Sequence, residues 1–269
     1  MERCSILLSE NIINGIEQLV QEIKQEKNIK NEIIRDDVFS ILQALDCIVL
    51  YYPLEGEEND GCSGCHIEKP VNGKMEQFVF INTNNTRERQ AFTAAHELGH
   101  ILKVDKRLRE KFPEEEFKCE VVINRFAAEL LMPRELFKEA MEFKLKEMHY
   151  TGPTIKALDL VKLIAYLMNY FFVPFKSVVR RLNEIGRLDE KFNKKIFTYK
   201  DSDYLKEIIN AEQYTRLNII TKLKSMDNLQ DHLLAAEESK VINETQINNI
   251  RKEFEIKPVE KTCGDEVLF

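Results

Sequence analysis

The sequence contains no long uncharged apolar run. Nothing in it approaches the roughly 18 residues of a membrane span, and the opening MERCSILLSENIINGIEQLVQEIKQEK has no apolar stretch after a basic start. No membrane span or signal peptide is expected, and a cytoplasmic protein is predicted. A basic excess is also missing: 39 Lys and Arg stand against 46 Asp and Glu, for a net charge of -7. Nucleic acid therefore gains no overall attraction, and only a local basic patch would supply it. Glycine is scarce, at 9 residues in 269, while Lys, Glu, Ile and Asn are plentiful, which predicts a helix-dominated chain. The six cysteines (Cys4, Cys47, Cys62, Cys65, Cys119 and Cys263) are too dispersed for a disulfide scaffold and are expected to be thiols in a reducing compartment. No internal repeat and no long low-complexity segment is evident.

What is present reads as helices around a few strands. Ile12, Ile13, Ile16, Leu19, Val20 and Ile23 mark one face of a first helix. A second helical pattern, Val38, Phe39, Ile41, Leu42 and Leu45, follows Asp36 and Asp37 as candidate caps. It leads into a strand at 47–54 (CIVLYYPL), stopped by Pro53 and EGEENDG, and then a loop carrying Gly56, Gly61 and Gly64. A second strand, FVFI at 78–81, is followed by the turn and cap residues NTNNT and the helix RERQAFTAAHELGHILK. Residues 103–117 are charged, contain Pro113 and read as a connection to a helix running from near Phe117 to Met132. Helical patterns then fill 134–148, 154–172 and 174–186, with breaks at Gly152-Pro153 and Pro174. Lys/Glu/Ile/Asn helices are expected from 200 onward, with a loose tail after Pro258.

The chemistry concentrates in HELGH. His96 and His100 are four apart, so on a helix they project from one face and can share an ion. Neutral imidazoles suit zinc, and Glu97, about 100° around the helix, is better placed to take a proton from water that the metal has acidified. Gly99 weakens the helix by about 1 kcal/mol relative to Ala, which a close backbone approach would justify. The segment EVVINRFAAELLMP, 120–133, offers a further carboxylate for a His₂Glu set. Glu120 and Glu129 both qualify by residue type, but they lie two and a half turns apart on opposite faces, so only one can point at the metal. Asn124, one turn after Glu120, suits the task of accepting the other ring N–H of His96.

RQAFTAAHELGH followed by EVVINRFAAELLMP resembles the ImmA/IrrE family of gluzincin-type zinc metallopeptidases. The similarity is strongest over 87–134, extends in element order over about 33–86, and stops at about 190. It implies a minimal zincin-like core that uses Zn²⁺, with His96, His100 and Glu120 as ligands and Glu97 as base. It also implies a helix-turn-helix transcriptional repressor as substrate, whose cleavage derepresses mobile-element or stress genes. The family pattern has Ala where this chain has Ile123, a departure that bears on packing more than on ligation.

Other signals in the sequence have plainer readings. Cys62-Ser-Gly-Cys65-His66 spells a haem-attachment motif, but that chemistry needs an export context absent here. Its three soft ligands also suit a second zinc or a thiol held against the catalytic metal, yet the motif has no partner pair and reads as plain loop thiols. Residues 174–200 hold Lys176, Arg180, Arg181, Arg187, Lys191, Lys194, Lys195 and Lys200 on a helix-turn-helix-like stretch, so nucleic acid is a possible but disfavoured partner. His149, Tyr150 and Tyr166 are candidates for stabilising an oxyanion, with surface and core roles as the plainer alternatives. His232 is assigned no role.

The expected fold is thus helix-rich α+β: an N-terminal helix at 1–34, a zincin-like metallopeptidase domain with a small sheet at 35–150, a helical, helix-turn-helix-like domain at 151–190, and a helical extension at 191–269. The expected activity is zinc-dependent cleavage of a protein. The rivals are a catalytically weak regulator of the same fold and a toxin acting on another partner.

Overall fold

The computed structural model describes residues 8–55, 62–71, 73–150, 152 and 154–256. Gly56, Gly61, Pro153, Cys4, Cys263 and the tail after Pro258 lie outside the described residues. The chain is helix-rich α+β, with one mixed sheet in the order β2-β3-β1-β4.

Helix α1 (Glu10–Glu26) starts where the Ser9 hydroxyl accepts the Ile12 N–H at 3.3 Å, and it buries Ile12, Ile16, Leu19, Val20 and Ile23. Helix α2 (Val38–Ala44) leads into β1 (Cys47–Tyr52); Asp37 occupies the cap position but makes no side-chain cap bond. Strand β1 runs parallel to β3 (Lys74–Asn82), with Val49 opposite Val79. One continuous buried cluster then runs from Ile12 in α1 to Leu217, so α1 packs into the same core as the sheet.

The loop expected around Gly64 is instead an eight-residue strand, β2 (Gly64–Val71), antiparallel to β3. It lies at the sheet edge, where backbone pairing rather than apolar burial makes the strand, and Pro70 is tolerated there. Its Glu68, Lys69 and Pro70 therefore give no apolar signal. The connection expected at 103–117 also contains a helix, α4 (Val104–Lys111), held by only two buried residues one turn apart, Val104 and Leu108. Lys103, in the left-handed region at φ 52, separates it from α3 (Arg87–Ile101).

Helices α5 (Cys119–Leu131), α6 (Arg134–Glu147), α7 (Ala157–Phe171) and α8 (Phe175–Glu184) follow. The last two meet at 106° across a three-residue break, 172–174. No single helix among the described residues is long and apolar enough to cross a membrane.

The extension after 190 forms α9 (Asn193–Phe197), α10 (Asp203–Ala211), α11 (Leu229–Glu238) and α12 (Glu244–Glu253), but it is not wholly helical. Between α10 and α11 the chain returns to the sheet. Arg87 donates its N–H to the Ile219 carbonyl at 2.9 Å, and the Thr83 hydroxyl donates to the Leu223 carbonyl at 2.7 Å. Strand β4 (Ser225–Met226) then pairs with β1, and Asp227 exchanges two bonds with Val49: its carboxylate accepts the Val49 N–H at 3.1 Å and its N–H donates to the Val49 carbonyl at 3.2 Å. These pairings join backbone groups far apart in sequence, and a two-residue strand has no periodicity to read.

Candidate metal centre

Helix α3 lies across the buried sheet face made by Val49, Val79 and Ile81, with Ala91, Ala94, Ala95 and Leu98 turned inward. That packing leaves His96 and His100 on the open side, one turn apart. Their Nε2 atoms are 3.2 Å from each other. The Glu120 carboxylate on α5 meets both, with Oε2 3.3 Å from His96 Nε2 and Oε1 3.4 Å from His100 Nε2.

Donors at about 2.0–2.1 Å from a tetrahedral zinc lie roughly 3.3 Å from one another. The imidazole nitrogens lie at that separation from each other, and each lies at that separation from one of the two carboxylate oxygens; two imidazole nitrogens and a carboxylate are suited to a cation. Among the described residues this is the only group of three such side chains whose donor atoms all lie within 4.8 Å. Burial lowers the pKa of His96, with the neighbouring His100 acting in the same direction, and favours the neutral ring that a metal requires. The Glu120 charge, and hydrogen bonds that the protonated ring donates to Asn124 and Glu120, act in the opposite sense. Asn124 also donates its side-chain N–H to the Glu120 main-chain carbonyl at 2.7 Å.

Gly99 explains how α5 comes close enough. A Cβ on Gly99 would lie 3.0 Å from Phe126 Cδ1 and 3.1 Å from Ile123 Cγ2. Ile123, the departure from the family pattern, thus fills the space over this glycine together with Phe126.

Glu97 is buried beside the triad. Burial, and then the negative charge of Glu120, raise its carboxyl to about 7, while a hydrogen bond from the His66 main chain acts in the opposite direction. The β2 strand presses closely here: a Cβ on Gly64 would lie 2.4 Å from Thr93 Cγ2 and 3.6 Å from Glu97 Oε1. Gly64, Cys65, His66, Glu68 and Gln77 therefore share a cavity of about 550 Å³ with His96, Glu97, His100 and Glu120.

The other candidates separate from this cavity. Glu129 accepts the Arg134 N–H at 3.0 Å and lies 3.1 Å from Arg181 and 3.6 Å from Arg125, inside a buried ion network. Tyr150 donates to Asp159 at 2.6 Å and, with His149, lines a different cavity; Tyr166 stacks on Tyr170. His232 sits on α11. Cys62, Cys65 and His66 do not converge as metal ligands, and burial raises the pKa of Cys65, keeping it a thiol. In the basic stretch Arg181 is buried, Arg187 pairs with Glu142, Lys191 with Asp189 and Lys200 with Asp201, which reduces the charge offered to phosphates.

Sequence reading missed His66, Glu68 and Gln77 as cavity residues. Once β2 is known to be a strand, alternation puts His66 and Glu68 on the same side as the packed Gly64, and the pairing of Glu68 with Gln77 brings in Gln77 from β3; neither the strand nor its register shows in the segment itself.

A small mixed sheet covered by a helix that presents HExxH, with a carboxylate from the next long helix, defines a metallopeptidase-type protein. The chain matches the family model described as the IrrE N-terminal-like domain over residues 43–183, more than half its length, and it belongs to that peptidase family. No match was found among curated proteins.

Proposed function

We propose that the protein is a zinc-dependent endopeptidase that acts in the cytoplasm on a helix-turn-helix transcriptional repressor and so derepresses mobile-element or stress genes. The observation that carries the catalytic part is the cluster of His96, His100 and the Glu120 carboxylate, with contacts of 3.2–3.4 Å, beside the buried Glu97. The family match supports the peptidase class, and the repressor substrate rests on the ImmA/IrrE resemblance.

His96, His100 and Glu120 would hold the ion, with Asn124 behind His96 and Glu120. A zinc ion bound there supplies Lewis acidity, polarising the scissile carbonyl and making water a nucleophile near neutral pH. Glu97 takes one proton from that water as its oxygen adds to the carbonyl carbon, then delivers the proton to the amide nitrogen as the C–N bond breaks. The free edge of β2 offers main-chain groups beside the cavity, which suits an extended peptide added as a further strand.

The test is to load wild type and Glu97→Gln with zinc, mix each with candidate repressors, and measure bound metal, cleavage and derepression together. Derepression by a zinc-retaining Glu97→Gln protein without cleavage would replace the enzyme with a binding regulator.

A further inference from the structure

His66 lines the same cavity as the metal-type triad, and its own main-chain N–H bonds the Glu97 carboxylate. The ring is therefore fixed at its root to the group proposed as base. It is also held at its far end. His66 Nε2 bonds Gln77 Oε1, and Gln77 Nε2 donates to Glu68 Oε1 at 2.9 Å.

This chain of bonds has one consistent direction. The Glu68 carboxylate can only accept, so the Gln77 amide N–H must face it; that leaves the amide oxygen toward His66, and Nε2 must carry a proton. Nδ1 has no hydrogen-bond partner among the described residues. Only the doubly protonated ring carries a second donor at Nδ1–H, and that is the form an oxyanion here requires. The three side chains sit on two paired strands, Glu68 opposite Gln77 and His66 opposite Val79, so the relay is built on the sheet and not on a loop.

Resting on the peptidase reading above, we infer that His66 donates from Nδ1 to the oxyanion that develops on the scissile carbonyl, with Gln77 and Glu68 as the positioning residues that aim its ring. A donor aimed at that charge stabilises the transition state more than the ground state.

The experiment uses the zinc-loaded full chain and a capped phosphinic dipeptide, whose tetrahedral anion imitates the transition state. Wild type, His66→Ala, His66→Gln and Gln77→Leu are compared for bound zinc, melting temperature and probe affinity. His66→Ala is expected to keep its zinc and lose about 100-fold in affinity. His66→Gln, whose amide still donates, recovers part of this, and Gln77→Leu loses an intermediate amount. In the metal-free protein, ring ¹⁵N spectra are expected to show the proton on Nε2 of His66 when the ring is neutral. Unchanged probe affinity in His66→Ala overturns the assignment, and so does a loss of affinity that only follows loss of zinc. If His66→Ala does not fold, Gln77→Leu decides by the same two criteria. A wild type that takes up no zinc, or holds zinc and does not bind the probe, instead removes the peptidase reading, and this assignment with it.

Discussion

Gly99 on α3 and Ile123 on α5 are packed so closely that a Cβ on the glycine would lie 3.1 Å from the isoleucine Cγ2. The contact sets the separation of the two helices that carry the candidate ligands.

Gly99→Ala should therefore test the metal site from a distance. The added methyl favours the helix by about 1 kcal/mol but pushes α5 outward at Ile123 and Phe126. The expected outcome is little change in the melting temperature of the metal-free protein and a loss of zinc affinity of about 10-fold or more, as for other residues that orient ligands. Chelator competition measures it; an affinity equal to wild type would mean that α5 is not positioned through this contact.

Glu120 and Glu129 should separate cleanly. Glu120→Gln leaves a folded chain that releases zinc readily. Glu129→Gln keeps its zinc but leaves Arg125 and Arg181 buried with less compensating charge, costing roughly 3 kcal/mol in urea unfolding. Zinc loss on the second substitution and not the first would transfer the ligand role to Glu129.

The metal-free protein should become less stable as pH rises. Glu97 is raised from 4.5 to about 7, so between those values the folded chain holds a proton that the unfolded chain has released. The stabilisation is complete below about pH 4.5 and is lost as pH climbs through 7. Glu97→Gln carries no such proton. With chelator present at about pH 8 it should be more stable than wild type by up to about 2 kcal/mol, allowing for solvent screening at the open cavity. That advantage should vanish near pH 4.5, and parallel stability curves for the two proteins across this range would count against a buried, proton-holding Glu97.

Asp227→Ala removes the acceptor of the Val49 N–H and should cost about 1–2 kcal/mol in global stability without changing zinc affinity. Equal urea midpoints for variant and wild type would show that the returning segment does not contribute to sheet stability.

The candidate metal centre was largely readable because its parts are local: two histidines four apart on an amphipathic helix, then a second helix starting near Glu120. Helix α4 escaped because two apolar residues in eight give too little periodicity. Strand β2 escaped because an edge strand needs no buried side chains, and with it His66 was read as part of the CSGCH loop, a soft ligand at most, and not as a neighbour of Glu97. Its place beside Glu97 depends on the register with β3, a non-local property with no imprint on the segment itself. The same holds for β4, whose partner lies at the other end of the chain.

That last pairing has a consequence during synthesis. Strand β1 emerges from the ribosome early, but the residues that cover its edge, Ser225 and Met226, come near the end of the described chain. At typical translation rates the interval is on the order of ten seconds or more. Throughout it β1 presents an open row of N–H and C=O groups that a neighbouring nascent chain can pair with. Chains that stop before residue 225 keep that edge permanently, so premature termination yields sticky, aggregation-prone products rather than a smaller working peptidase.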